Sequence, residues 1–365
     1  MVMWILLKSA IICGIIHPCF ARRLELGEND IDLSRICLKA NHQLLLQENI
    51  MEEKNYIDIM KALDTKQMIL QGPPGTSKTY MAKKIVAQAL GWEKSSGDTN
   101  EKDSIRRYLE SNENQKRWEM VQFHPSYGYE DFVRGITVKT SEGGQISYET
   151  VNKVFGDMCN RAKGEGLYFL IIDEINRADV ATVFGELLYG LEYRNEEITI
   201  PYEVGSEKKL IIPDNLYVIG TMNTADKSVG NIDYAIRRRF VFFDCPASEK
   251  ILQDYYKNKD NSESIPLFKA VQKFLKDSLH PDYRLADFQI GHTYFMAKNT
   301  DEQKNKFQYQ ILPILREYYI DGILRRSGIG NENNALYQYL SGQKSLDEET
   351  AKAIEEDLRS ELKQG

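Results

Sequence analysis

Residues Gly72 to Thr79 read GPPGTSKT, set between a short apolar run, KQMILQG (Lys66 to Gly72), and an amphipathic stretch, TYMAKKIVAQAL (Thr79 to Leu90). A strand that enters a Gly/Pro loop and reopens as a helix is the context in which this pattern binds phosphate. Backbone N–H groups of the loop and the helix N-terminus together form an anion cradle. Gly72, Pro73, Pro74, Gly75, Thr76, Ser77, Lys78 and Thr79 are the expected cradle. Lys78 would reach the β and γ phosphates of a bound nucleotide, and the Thr79 hydroxyl would ligate Mg²⁺. The strict pattern has glycine where Ser77 stands. Serine is small and the cradle is mostly main chain, so phosphate binding is expected to persist.

Downstream, apolar runs alternate with helical patterns. EMVQFH (Glu119 to His124), LYFLIID (Leu167 to Asp173), NLYVIGTMN (Asn215 to Asn223) and RFVFFDC (Arg239 to Cys245) read as further strands. The continuous apolar character of LYFLIID predicts a strand buried on both faces of a parallel sheet. Two alternating stretches, around GITVKTSEGGQISYE (Gly135 to Glu149) and EEITIPYEVGSEKKLIIP (Glu196 to Pro213), predict β-hairpins. The first interrupts a helix that otherwise runs from Tyr129 through VNKVFGDMCNRA. A single helix is expected over Val180 to Leu191, and residues 93–117 read as a polar, exposed insertion. After Pro246 only helical periodicity remains. The expected organisation is an N-terminal apolar and helical segment (1–54), an α/β domain with a parallel five-stranded sheet and two hairpin inserts (55–246), and a helical lid with C-terminal helices (247–365).

LYFLIID ends at Asp173 and is followed by Glu174, which puts two carboxylates at the carboxyl edge of the sheet, where open α/β sheets bind ligands. Asp173 would hold Mg²⁺ through water, and Glu174 would polarise an attacking water, with Asp226 next in line for that role. Asn223 falls at the tip of the following strand, where an amide can orient a water without adding charge. Arg238 and Arg239 stand some fifteen residues further on. They suit fingers presented to a neighbouring subunit, since phosphoryl transfer needs cations against developing negative charge.

The net charge of −7, from 47 basic and 54 acidic residues, excludes a globally basic nucleic-acid binder. The aromatics do not interleave with a basic stripe as they do in single-strand binders. Five scattered cysteines (Cys13, Cys19, Cys37, Cys159, Cys245) form no CxxC pair, which points to reduced thiols in the cytoplasm, with neither a disulfide frame nor a zinc site. The opening MWILLKSAIICGIIHPCFARR is apolar, but Lys8 and His17-Pro18 break it and its basic residues lie on the wrong side for a signal peptide. It is short for a membrane span. It reads as a mis-assigned start or a remnant of an upstream domain, and no membrane association is expected.

GPPGTSKT, FHPSYGYEDFVRGI (Phe123 to Ile136), DEINRADVATVFGELLYGLE (Asp173 to Glu192), GTMNTADKS with DYAIRRRF, and IGHTYF (Ile290 to Phe295) together resemble the McrB family. These are the AAA+ motor subunits of restriction systems specific for modified (5-methylcytosine) DNA. The likeness spans roughly residues 55 to 320, with Lys227 where arginine is common. It implies an AAA+ P-loop NTPase fold of the dynein-related, helix-2-insert type, hexameric rings with nucleotide at subunit interfaces, GTP as substrate in the best-known members, and a separate McrC-like nuclease partner. ATP remains equally open from the loop itself, which reads phosphates and not bases. The family's usual amino-terminal DNA-reading domain is not expected to fit in the roughly 70 residues before the loop. DNA contact is therefore expected through a partner or a missing domain. No arginine in the lid stands out as a second sensor; Arg284 and Arg316 are the candidates.

No nuclease constellation is visible, since PDYRLAD (Pro281 to Asp287) lacks a Glu-x-Lys partner. Two rival classes stand beside the restriction motor. One is a MoxR-like AAA+ ATPase that remodels protein complexes, against which MNTADKS and FHPSYGYEDF argue. The other is an assembly module that binds nucleotide with little turnover, against which Glu174 and Asn223 argue.

Overall fold

The computed structural model describes residues 56–363, apart from 96–99, 141–143, 145, 206, 227–231, 258–262, 326–328 and 330–333. The apolar opening, most of the helical pattern before the first strand, and Lys227 lie outside the described residues.

Five strands form one sheet: β1 (Gln67–Gly72), β2 (Trp118–Gln122), β5 (Tyr168–Asp173), β8 (Leu216–Asn223) and β9 (Val241–Asp244), in the order β2-β5-β8-β1-β9. Every pairing is parallel. Phe169 to Ile172 in β5 are completely buried, as are Val218 and Ile219 in β8. Strands this apolar are stable only with both faces covered, each such side chain contributing roughly 2 kcal/mol on burial. They therefore occupy interior positions. The register sets Gly72 opposite Asn223, and Ile172 opposite Gly220. The ends of β1, β5 and β8 thus meet on one edge, and that edge holds the candidate site.

The two hairpins stand apart from the sheet: β3 (Arg134–Thr140) with β4 (Ile146–Asn152), and β6 (Glu197–Val204) with β7 (Glu207–Ile211). Pro201 cannot donate to a ladder, and the β6–β7 register shifts between Thr199 and Val204, around it. Arg134 joins the hairpins. Its guanidinium is buried, and donates to Asn152 Oδ1 at 2.7 Å and to the carbonyls of Tyr202 (3.1 Å), Glu207 (2.7 Å) and Lys209 (3.3 Å). All four acceptors are neutral, so the clamp depends on geometry rather than on an ion pair.

Two expectations change. Residues 93–117 are not merely an exposed insertion: they contain a helix (Glu101–Leu109) that buries Ile105 and Leu109. Glu101 anchors it, accepting from Tyr80 (2.7 Å), Lys84 (2.6 Å) and Lys94 (2.8 Å). These partners hold its carboxyl down to about 2 despite the opposing effect of burial. The helix expected over Val180 to Leu191 is broken in two, Val180–Phe184 and Leu187–Glu192, at Gly185, whose φ of 49° is outside the helical range.

Among the described residues beyond Pro246 the elements are helices, with an isolated bridge between Leu279 and Leu324. Their core, which includes Leu252, Val271, Leu312 and Ile354, is separate from the core under the sheet. The first is the lid, the second the α/β domain.

Candidate functional site

The loop turns through Gly75, with φ of 77°, and Ser77, with φ of 63° and ψ of 23°. The left-handed region explains why glycine is the usual residue at the Ser77 position. The helix Lys78–Ala89 starts directly after it. Lys78 Nζ donates to the carbonyls of Gly72 at 3.0 Å and Pro73 at 2.8 Å, and Thr76 Oγ1 to Pro73 at 3.0 Å. Burial of the ammonium group lowers its pKa to about 8, opposed by Cys245, Glu174 and Asp173.

A line of hydrogen bonds crosses three strand ends. Thr79 Oγ1 donates to Asp173 Oδ1 at 2.8 Å, and Thr221 Oγ1 donates to the same oxygen at 2.6 Å. The Glu174 N–H donates to Thr221 Oγ1 at 3.1 Å, and Asn223 Nδ2 to Glu174 Oε1 at 2.5 Å. Glu174 itself sits at φ 53°, ψ 45°, strained for a residue with a Cβ and a conformation that gathers at functional sites. Arg177 bridges this carboxylate and Asp226, at 3.4 and 3.3 Å. The structure thus brings together Lys78, Thr79, Asp173, Glu174, Asn223 and, through Arg177, Asp226. Thr221 and Arg177 were not expected. Both sit inside quoted motifs, but neither carries a local signal for a partner nearly fifty residues away.

The lid reaches the loop from the other side. Gly291 N–H donates to Pro74 O at 3.1 Å, and Thr293 donates through N–H (3.0 Å) and Oγ1 (2.9 Å) to Gly75 O. His292 Nε2 lies 3.1 Å from Ser77 Oγ. Arg284 and Arg316 are occupied within the lid: Arg284 pairs with Asp287 at 3.5 Å, and Arg316 stacks over Tyr339 at 5.4 Å. The lid groups on the loop are His292, Thr293 and the Tyr294 ring, against which a Cβ at Gly75 would lie at 2.5 Å.

Arg238 and Arg239 both pair with Glu192, at 3.1 and 2.9 Å. The Arg238 side chain is 62% exposed and that of Arg239 10%, with Arg239 also donating to Ala235 O. Arg237 stacks on Phe242 at 5.2 Å. Within one chain these arginines are held at their own helix and on Glu192.

The residues fit Mg²⁺. Thr79 and Asp173 offer hard oxygen donors 2.8 Å apart, and Mg²⁺ takes few protein ligands when phosphates and waters complete its shell. Among the described residues no cluster of three or more His, Cys, Asp or Glu forms a metal centre. The edge can therefore hold a phosphate chain on the loop, with a carboxylate and an amide placed for a water beside it.

The sequence matches the AAA domain of the dynein-related subfamily over residues 101–240, and the McrB alpha-helical lid domain over residues 269–325. The phosphate loop precedes the first range and is identified by its own pattern and geometry. The Type IV methyl-directed restriction enzyme EcoKMcrB subunit of Escherichia coli (strain K12) is 33% identical over 310 residues, covering 78% of this chain and 60% of that protein. The Type II restriction enzyme BsuMI component YdiS of Bacillus subtilis (strain 168) is 24% identical over 213 residues, covering 48% of this chain and 56% of that protein. The chain thus spans a little over half the length of each relative. With a parallel sheet carrying a phosphate loop, two hairpin inserts and an McrB-type lid, the chain is an McrB-like AAA+ protein.

Proposed function

We propose that the chain is a nucleoside triphosphatase, using GTP or ATP, that serves as the motor subunit of a modification-dependent DNA restriction system. The observation that carries this proposal is the unbroken line Thr79–Asp173–Thr221–Glu174–Asn223 along the edge where the phosphate loop ends. Gly72 to Thr79 cradle the phosphates, and Lys78 leaves its carbonyl partners for the β and γ oxygens. Thr79 and Asp173 would hold Mg²⁺, which when bound would offset charge on the phosphate oxygens. Glu174 takes a proton from the attacking water, Asn223 orients that water, and Asp226 steadies the pair through Arg177. Arg238 and Arg239 complete the site of a neighbouring subunit in a ring, most simply a hexamer.

The printed names of the two relatives, a restriction-enzyme subunit and a restriction-enzyme component, support a role in DNA restriction shared among chains. The nuclease belongs to an McrC-like partner in this proposal, and DNA is read by a partner or a further domain. The complex works in the cytoplasm. Among the described residues no helix is long and apolar enough to cross a membrane.

The test is phosphate release from GTP and ATP in parallel, with and without the protein encoded next to this one. Turnover of either nucleotide, raised by the partner, is the expected result. Binding without turnover under every condition points to an assembly module. Turnover indifferent to the partner and to DNA points to a MoxR-like remodeller.

A further inference from the structure

Ser77 is the one member of the loop that departs from the usual pattern, and its own side chain is held by a side chain of the lid. Its backbone lies at φ 63°, ψ 23°, a region that a Cβ disfavours. Its hydroxyl meets His292 Nε2 at 3.1 Å. The direction of that bond follows from the other ring nitrogen. Nδ1 accepts from the Ser248 N–H at 3.3 Å, so the ring proton sits on Nε2 and is donated to Ser77 Oγ. His292 is 1% exposed. The segment around it is fastened to the same loop by the Gly291 and Thr293 bonds to Pro74 and Gly75. The fit leaves no slack: a Cβ on Gly291 would lie 2.0 Å from the Gly75 carbonyl carbon.

We propose that His292 is a positioning residue for the phosphate loop: by holding the Ser77 hydroxyl from the lid it stabilises the left-handed turn that sets Lys78, so that phosphate binding and lid docking favour one another. Glycine would adopt this turn without help. Serine does so with an external partner, and the partner belongs to the other domain. Coupling of this kind is reciprocal: whatever loosens the lid weakens phosphate binding by the factor with which phosphate tightens the lid. The inference rests on the nucleotide site proposed above for the identity of its ligand.

The experiment is a fluorescence titration of the full chain with mant-ATP and mant-GTP in Mg²⁺. It compares the parent, Ser77→Ala, His292→Phe, the pair combined, and His292→Phe in a Ser77→Gly background. Ser77→Ala keeps the strained backbone and removes the acceptor; it should weaken binding about fivefold, the worth of one neutral hydrogen bond. His292→Phe should weaken it to a similar degree, and the pair no more than either alone. In the Ser77→Gly background, with that variant's own affinity as reference, His292→Phe should change binding less than twofold. An equal loss in both backgrounds would make the histidine a general support of the lid and overturn the proposal. Unchanged affinity in Ser77→Ala overturns it without any histidine variant, should His292→Phe not fold. If the parent binds neither nucleotide, the site assignment and this inference fall together. If the parent binds, Lys78→Ala does not, and the cycle is additive, this inference alone falls.

Discussion

The side-chain amide of Asn223 donates to Oε1 of Glu174 at 2.5 Å, from the end of one strand to the residue following its parallel neighbour. Oε2 of the same carboxylate accepts from Arg177 at 3.4 Å. Partial burial raises the Glu174 pKa above the ordinary carboxylate value; Arg177 opposes this and Asp173 adds to it. A carboxylate partly withdrawn from water and oriented by an amide is suited to take a proton.

Glu174→Gln should therefore bind nucleotide and Mg²⁺ while turning over on the order of a hundredfold more slowly. Nucleotide-loaded oligomers should accumulate. In the parent, turnover should fall as pH drops through the raised pKa of Glu174, at a higher pH than an ordinary glutamate requires. Single-turnover phosphate release against pH checks both. A rate near the parent's in Glu174→Gln moves the base role to Asp226.

The lowered pKa of Lys78 gives a limb at the other end of the pH scale. Burial brings the free protein's ammonium group to about 8. Above that pH the group loses its proton, and binding must restore it. Mant-nucleotide affinity should then fall by up to about tenfold per pH unit. In Lys78→Ala binding should be abolished, since the loop has no other cationic side chain. Unchanged affinity in Lys78→Ala sinks the assignment.

Arg238 and Arg239 share Glu192, but Arg238 is 62% exposed and Arg239 10%. Arg238 is thus the better placed to leave its chain. An arginine finger acting between subunits contributes roughly a thousandfold or more to rate. Mixing Arg238→Ala, Arg239→Ala protein with Lys78→Ala protein should restore turnover at intermediate ratios, because a site with its loop can then sit beside a chain with its fingers. Phosphate release against mixing ratio is the measurement. A straight line between two inactive ends rejects the finger role, and full activity in the double mutant confines these arginines to their own helix end.

Arg134→Met should loosen both hairpins together. The substitution leaves the carbonyls of Tyr202, Glu207 and Lys209 in need of new partners, at about 1–3 kcal/mol for each that stays buried. Lysine cannot span the same fork and should rescue poorly. Hydrogen exchange in β3, β4, β6 and β7 should accelerate while the sheet strands stay protected. Exchange that rises only in β3 and β4 shows that the clamp is not shared.

The phosphate loop, the strand ending at Asp173, the strand tip at Asn223 and both hairpins were legible in the sequence. Each rests on a short-range rule: a Gly/Pro loop between strand and helix, an apolar run ended by carboxylates, a period of two around a turn. The AAA+ lid was legible through motifs such as IGHTYF. What those rules cannot supply is the partner. Thr221 meets Asp173 across 48 positions, Arg134 reaches Lys209 across 75, and Ser77 meets His292 across 215. Local periodicity reports which face of its own element a residue occupies, and says nothing of which distant element will cover that face. Gly185 shows the same limit at short range, since its surroundings read as helix and the backbone turns out of it at φ 49°. The sequence thus determined which groups stand at the sheet edge. Packing of sheet, hairpins and lid decided what holds them there, because hydrogen-bond partners far apart in the chain are chosen only when those surfaces close on one another.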